Sequence, residues 1–170
     1  DIEKAFDSIT HKKLLDRMEV VGVRGIALQW FKSYLSDRKQ TVKVANFISD
    51  VILCDTGLPQ GTSLSPVLFL IYVNELCEML CKGNLVSFAD DTALLISSDN
   101  WLDSYKIASE EITKIFNWLT ENLLKMNIAK TFYITFSANA AGQPYDTLKI
   151  KIHNNPLNQE LCLTNQCASC

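Results

Sequence analysis

Two adjacent aspartates, Asp90 and Asp91, stand between two short apolar runs, and this feature restricts the fold of the chain most strongly. The runs LVSF at residues 85–88 and ALLI at residues 93–96 have the length and composition of paired strands. Side chains alternate between faces along a strand, and a carboxylate removed from water needs a partner. The pattern predicts a β-hairpin with two carboxylates at its tip, either as an ordinary polar turn or as part of a divalent-metal site.

The segments around this hairpin alternate between helical and strand periodicity. Apolar residues recur at helical spacing over residues 8–21, 25–36, 64–81 and 101–126, and the helix at 64–81 is apolar enough to be largely buried. An alternating pattern over residues 40–53 predicts a second hairpin with its turn near residues 46–50, and short strands are expected near 131–137 and 147–152. This order predicts an α+β fold, an antiparallel sheet with helices packed on one face.

Composition limits the class of protein. The 170 residues are 48% hydrophobic and 21% charged, as in a globular protein, and no uncharged apolar run is long enough to span a membrane. The net charge of -3 is unevenly distributed. Residues 1–49 contain 9 Lys+Arg and 6 Asp+Glu, whereas residues 50–123 contain 3 Lys+Arg and 11 Asp+Glu. An acidic metal site beside a basic nucleic-acid track would have this distribution, as would ordinary solvated surfaces. The six cysteines lack zinc-site spacing, which favours reduced, mostly buried thiols in an intracellular protein.

Three stretches in order resemble the reverse transcriptases of non-LTR (LINE-type) retrotransposons. DIEKAFD at residues 1–7 is similar to the first palm motif of that family, GLPQGTSLSPVLF at 57–69 to the second, and FADD at 88–91 to the third. KMNIAKT at residues 125–131 matches the segment that closes the palm more weakly, and WFKSYLSDRKQ at 30–40 is also typical of the family. The resemblance implies a reverse-transcriptase palm that acts as an RNA-directed DNA polymerase.

The resemblance also implies a metal site. Asp1, Asp90 and Asp91 would be the catalytic ligands of two Mg²⁺ ions, with Mn²⁺ as an alternative, because hard carboxylate oxygens suit hard cations. Asp1 would then lie beside Asp90, on an adjacent strand of the same sheet.

Four further residues receive roles from the family pattern. Phe6 would sit under the sugar of the incoming nucleotide and exclude ribonucleotides, or else anchor the following helix. Gln60 and Gly61 would contact the nucleotide and template, because glutamine offers uncharged hydrogen bonds and glycine allows close approach. Lys130 would approach the triphosphate, or else be an ordinary exposed lysine.

Three polar residues near these motifs have no assigned role in the chemistry. Asp7 is expected to make a local polar contact near the helix start, and His11 and His153 are expected to be ordinary surface or helix-start residues.

The resemblance sets expectations for the whole protein. Residues 1–161 would be a partial reverse transcriptase domain, with residues 162–170 as a tail, and the fingers, thumb and an endonuclease would belong to a longer parent polypeptide. Expected binding partners are an RNA template, a DNA primer and dNTPs, and no membrane association is expected. The family resemblance implies that the protein is located in the nucleus and cytoplasm. The alternatives are a group II intron-type maturase or a truncated, non-catalytic, RNA-binding palm remnant.

Overall fold

The computed structural model of the chain describes residues 1–79, 81–137 and 148–152, and the backbone of residues 161–162 and 164–165. Its contacts divide the chain into two compact units. The first unit is Lys4–Glu75, and the second unit joins Asp1–Glu3 to the chain from Leu76 onward. Helices and short strands occur in both units, which confirms the α+β class.

A helical hairpin opens the first unit. Helix α1 (His11–Val20) buries Leu14 and Met18 one turn apart. The helix ends before Gly22, whose φ of +96° lies in the left-handed region that glycine adopts without strain. Helix α2 (Gly25–Leu35) follows directly. Both helices predicted for this part of the chain are confirmed.

The predicted second hairpin is also present in the first unit. Its strands are β1 (Lys39–Gln40), β2 (Lys43–Val44), β3 (Phe47–Ile48) and β4 (Ile52–Leu53). The outer strands β1 and β4 pair antiparallel, as do β2 and β3. The turn falls at residues 45–46, slightly earlier than predicted, because Ala45 takes a left-handed φ of +52° there. All residues of these strands are exposed.

Helix α3 (Leu64–Glu78) is buried on one face only. Its buried residues follow helical spacing: Ser65, Leu68, Phe69, Tyr72, Val73 and Leu76. Between them, Val67 and Leu70 are each more than half exposed. The expectation of a largely buried helix is therefore wrong, because a uniformly apolar sequence does not reveal which face finds a partner.

The second unit contains the Asp-Asp hairpin and the longest helix. Its elements are β5 (Asn84–Phe88), β6 (Asp91–Leu95), α4 (Trp101–Glu121), a 3-10 helix (Ile128–Lys130), β7 (Phe132–Tyr133), β8 (Lys151–Ile152), β9 (Leu161–Cys162) and β10 (Thr164–Asn165). Helix α4 ends five residues before its predicted end. Leu123 turns the chain with a left-handed φ of +58°, and Leu124 N–H donates to Leu119 O at 2.8 Å, which closes the helix.

The expected single antiparallel sheet is not found in the described part of the chain. Those residues form five separate two-stranded sheets, of which the β7–β10 pair is parallel. Most of the described strands are only two residues long. None of the described helices combines the length and apolar character needed to cross a membrane.

Some expectations fall outside the described residues. His153 and most of the tail at residues 162–170 belong to this group, as do the side chains of the last three cysteines. The described cysteines Cys54, Cys77 and Cys81 are free thiols, but none of the three is buried, so the expectation of mostly buried thiols is wrong for them.

Candidate active site

The tip of the β5–β6 hairpin carries the paired aspartates. Phe88 pairs with Asp91 as the last step of the ladder, so Ala89 and Asp90 form the two-residue turn. Ala89 has a φ of +53°, which allows this tight reversal. One step further along the ladder, the hydroxyl groups of Ser87 and Thr92 lie 3.1 Å apart. The predicted hairpin and the position of its carboxylates are confirmed.

Backbone pairing brings Asp1 to a different segment of the second unit. Ile2 forms an antiparallel bridge with Met126, and Asn127 N–H donates to Asp1 O at 3.0 Å. Glu3 N–H donates to Lys125 O at 2.8 Å. Asp1 is therefore held beside residues 125–130, whereas the sequence had suggested a strand beside Asp90.

Charges from both segments act on Asp1. Asp91, Asp90 and Lys130 all lie within electrostatic range of the backbone nitrogen of Asp1. The Lys130 Nζ lies 3.8 Å from Asp1 Oδ2, and the Lys130 side chain is 71% exposed. An ion pair this exposed contributes little to stability, so Lys130 remains free to reorient toward a ligand.

The carboxylates supply the donor chemistry of a Mg²⁺ site. Asp1, Asp90 and Asp91 offer hard oxygen ligands, and both hairpin aspartates lie within electrostatic range of the Asp1 backbone nitrogen. In the described ranges, however, no three His, Cys, Asp or Glu side chains converge closely enough to hold a metal ion. The donor set fits the ion, and the assignment of individual ligands stays a prediction.

A cavity of about 1110 Å³ lies within the second unit. Asp1, Asp91 and Lys130 line it together with apolar side chains of α4 and of residues 129–137. Small-molecule sites typically occupy about 300–1000 Å³. The charged groups therefore border a space large enough for a ligand.

The first unit carries the other predicted site residues. Phe6 stacks on Phe69 of α3, with ring centroids 4.9 Å apart and planes inclined by 25°. Gln60 and Gly61 are exposed on the loop before α3, and Gly61 has a φ of +79° with open space where a Cβ would be. The stack supports an anchoring role for Phe6 and leaves its role toward nucleotides a prediction.

Two contacts in the first unit could not be inferred from the sequence. Gln60 Nε2 donates to Asp7 Oδ1 at 2.9 Å, although 53 positions separate these residues. His11 Nε2 lies 2.8 Å from Gly57 O. The expected local contact of Asp7 is therefore replaced by a long-range one, and His11 is more than an ordinary helix-start residue. No periodicity or spacing in the sequence points to either pair.

Comparison with known proteins decides the family. The sequence pattern described as "Reverse transcriptase (RNA-dependent DNA polymerase)" matches residues 1–156, which is most of the chain. The chain belongs to the reverse transcriptase family. The family predicted from the palm motifs is thus confirmed.

Individual relatives of this reverse transcriptase chain come from mobile elements of insects. It is 31% identical over 147 residues to the probable RNA-directed DNA polymerase from transposon BS of Drosophila melanogaster, covering 81% of this chain and 16% of the relative. It is 32% identical over 111 residues to the Pol polyprotein from type-1 retrotransposable element R2 of Popillia japonica, covering 58% and 18%. The RNA-directed DNA polymerase from mobile element jockey of Drosophila funebris is 26% identical over 144 residues, covering 81% and 16%.

The names of these relatives describe polymerases or a Pol polyprotein of transposable elements, in agreement with the family that the motifs indicated. The aligned part of this reverse transcriptase chain spans less than a fifth of each of the three relatives. The division of the chain at residues 161 and 162 is not tested by them and stays a prediction.

Proposed function

We propose that this chain is the palm of an RNA-directed DNA polymerase of a non-LTR retrotransposon. In this function it would join dNTPs to the 3′-hydroxyl of a DNA primer on an RNA template, as part of a longer polypeptide. The observation that carries the proposal is the hairpin tip, which presents Asp90 and Asp91 near Asp1 and Lys130 in a reverse transcriptase chain. The family match and the names of the relatives support the same reaction.

The carboxylates account for the metal dependence of this reaction. Asp1, Asp90 and Asp91 would hold two Mg²⁺ ions, with Mn²⁺ as a substitute. Bound there, the ions would lower the pKa of the primer 3′-hydroxyl and neutralise the negative charge of the nucleotide phosphates. Asp91 closes the ladder and Asp90 stands in the turn next to it, so the hairpin would hold both carboxylates at one end of the paired strands.

Lys130 adds a cation to this cluster. Its ammonium group would leave Asp1 and approach the leaving pyrophosphate, where it neutralises charge or donates a proton. The motion costs little, because the ion pair with Asp1 is long and its lysine end is largely solvated.

Three residues of the first unit have proposed roles toward nucleotide and template. Phe6 would exclude a ribose 2′-hydroxyl, and its stack against Phe69 would keep the ring in place as a steric gate. Gln60 and Gly61 would contact the nucleotide and template, and Gly61 leaves open space beside the backbone for a close approach.

Primer extension tests the proposal. The full polypeptide that contains this chain is supplied with an RNA template, a DNA primer, dNTPs and Mg²⁺, beside Asp90→Ala and a matched Asp16→Ala control at an exposed position of α1. We expect extension by the unmodified enzyme and the control, and a loss of at least about a hundredfold for Asp90→Ala. Equal extension by Asp90→Ala would refute the metal assignment, and no extension by any form would favour a non-catalytic RNA-binding remnant.

A further inference from the structure

The contact between Asp7 and Gln60 determines how the glutamine amide is oriented. Both residues are exposed, and Gln60 Nε2 lies 2.9 Å from Asp7 Oδ1. An ionised carboxylate can only accept hydrogen bonds, so the amide must turn its NH₂ group toward Asp7. The amide oxygen Oε1 is then left as the acceptor available to a ligand.

The backbone beneath this pair is held independently of it. Gly57 N–H donates to Ile9 O at 2.8 Å, and Leu58 N–H donates to Phe6 O at 2.9 Å. A Cβ added to Gly57, whose φ is +87°, would lie 3.1 Å from Asp7 O. The backbone at Gly57 therefore packs directly against the backbone at Asp7. These contacts do not involve the Asp7 carboxylate, and its removal should leave the loop in place.

His11 adds a side-chain tie to the same loop. Its Nε2 lies 2.8 Å from Gly57 O, and because a carbonyl oxygen only accepts, the imidazole must carry its proton on Nε2. The loop backbone is therefore fixed by His11 and by main-chain bonds, whereas Asp7 acts on the Gln60 side chain alone.

We propose that Asp7 is a positioning residue that aims the Gln60 amide oxygen at a hydrogen-bond donor, a hydroxyl or amino group, of the incoming nucleotide. This inference rests on the proposed function, in which Gln60 meets that nucleotide. An exposed glutamine without a tether loses rotational freedom when it binds. A glutamine that Asp7 already orients loses less, so the effect falls on nucleotide affinity and not on the chemical step.

Single-nucleotide incorporation kinetics of the full polypeptide test this role. Asp7→Ala should raise the KM for dNTP about three- to tenfold, the range of one modest hydrogen bond, with kcat changed less than about twofold. In a Gln60→Ala background the same change should have no further effect. Asp7→Asn should recover part of the loss, because its amide oxygen can still accept from Gln60. Asp16→Asn on α1 is the matched control and should leave both constants unchanged.

Several results would overturn the inference. The first is an unchanged KM for dNTP in Asp7→Ala. The second is an equal rise in KM on Asp7→Ala with Gln60 present and in the Gln60→Ala background, since Asp7 would then act independently of Gln60. A fall in kcat accompanied by a lower melting temperature would show a structural role instead. Failure of the proposed function gives a different pattern, in which the unmodified enzyme and Asp90→Ala extend the primer equally or not at all.

Discussion

A buried ion pair on α4 gives the sharpest stability prediction. The Glu111 side chain is fully buried, and Lys114 Nζ lies 2.7 Å from its Oε1 one turn away. The Lys114 side chain is 47% exposed, so the pair is buried at one end and hydrated at the other. Replacing Lys114 by methionine keeps the length of the side chain and removes the charge, which leaves the buried carboxylate without its cation.

The size of the loss follows from this half-buried geometry. Removing one partner of a fully buried pair costs about 3–5 kcal/mol, whereas an exposed pair contributes about 0–1 kcal/mol. We therefore expect Lys114→Met to lower the free energy of unfolding by about 1–3 kcal/mol at pH 7. The same change in a Glu111→Gln background should cost much less, since no buried charge remains.

The loss should depend on pH in a defined direction. Burial by itself would raise the pKa of Glu111, but hydrogen bonds from Lys114 and Cys81 and the charge of Lys114 bring it below its ordinary value of 4.5. A lowered pKa in the folded state stabilises the fold above pH 4.5, and this stabilisation is lost as the pH falls through the folded-state pKa. Without Lys114 the pKa of Glu111 rises. The loss in free energy of unfolding caused by Lys114→Met should therefore be smaller in acid.

Urea denaturation of the chain followed by circular dichroism, at pH 7 and at pH 4, measures both effects. Lys106→Met, at an exposed position of the same helix, is the matched control. The reasoning is refuted by a loss below about 0.5 kcal/mol at pH 7, the ordinary scatter of surface substitutions. A loss that is the same at both pH values, or the same in the Glu111→Gln background, would also refute it.

Three further predictions concern the loop, the nucleotide gate and the thiols. Gly57→Ala should destabilise the chain by about 1–3 kcal/mol, and more than Gly22→Ala does. Both glycines have a positive φ, but only Gly57 has backbone atoms within 4 Å of the new Cβ. Equal melting temperatures of the two variants would contradict this prediction. Phe6→Ala should raise ribonucleotide incorporation by the full polypeptide, measured by primer extension with NTPs, and an unchanged preference for dNTPs would remove the gate role. Cys81 should be alkylated by iodoacetamide more slowly than exposed Cys77 near pH 8. The reason is that burial, and to a smaller extent the nearby Glu111 carboxylate, raise the pKa of the Cys81 thiol. Equal labelling rates, measured by mass spectrometry of the peptides, would refute this prediction.

The local parts of the candidate site were predictable from sequence because short-range patterns determine them. Apolar runs on both sides of Asp90 and Asp91 predict a hairpin, and its ladder confirms that prediction from Asn84 to Leu95. The end of α4 was predicted wrongly, since Leu123 adopts a left-handed turn that a leucine seldom takes.

Long-range contacts were decided only by the tertiary structure. The sequence placed Asp1 in a motif, but the bridge between Ile2 and Met126 determines that it lies beside Lys130. The burial of Glu111 likewise depends on what packs against α4, because helical spacing alone does not distinguish a solvated glutamate from a buried one.

The sequence by itself determined the family of this protein, its α+β elements and the hairpin that carries Asp90 and Asp91. The tertiary structure decided which distant side chains meet, including Asp7 with Gln60. The physical reason is the range of the interactions. Periodicity and turn chemistry act over a few residues and are written in neighbouring positions, whereas contacts between distant segments arise only when both have packed.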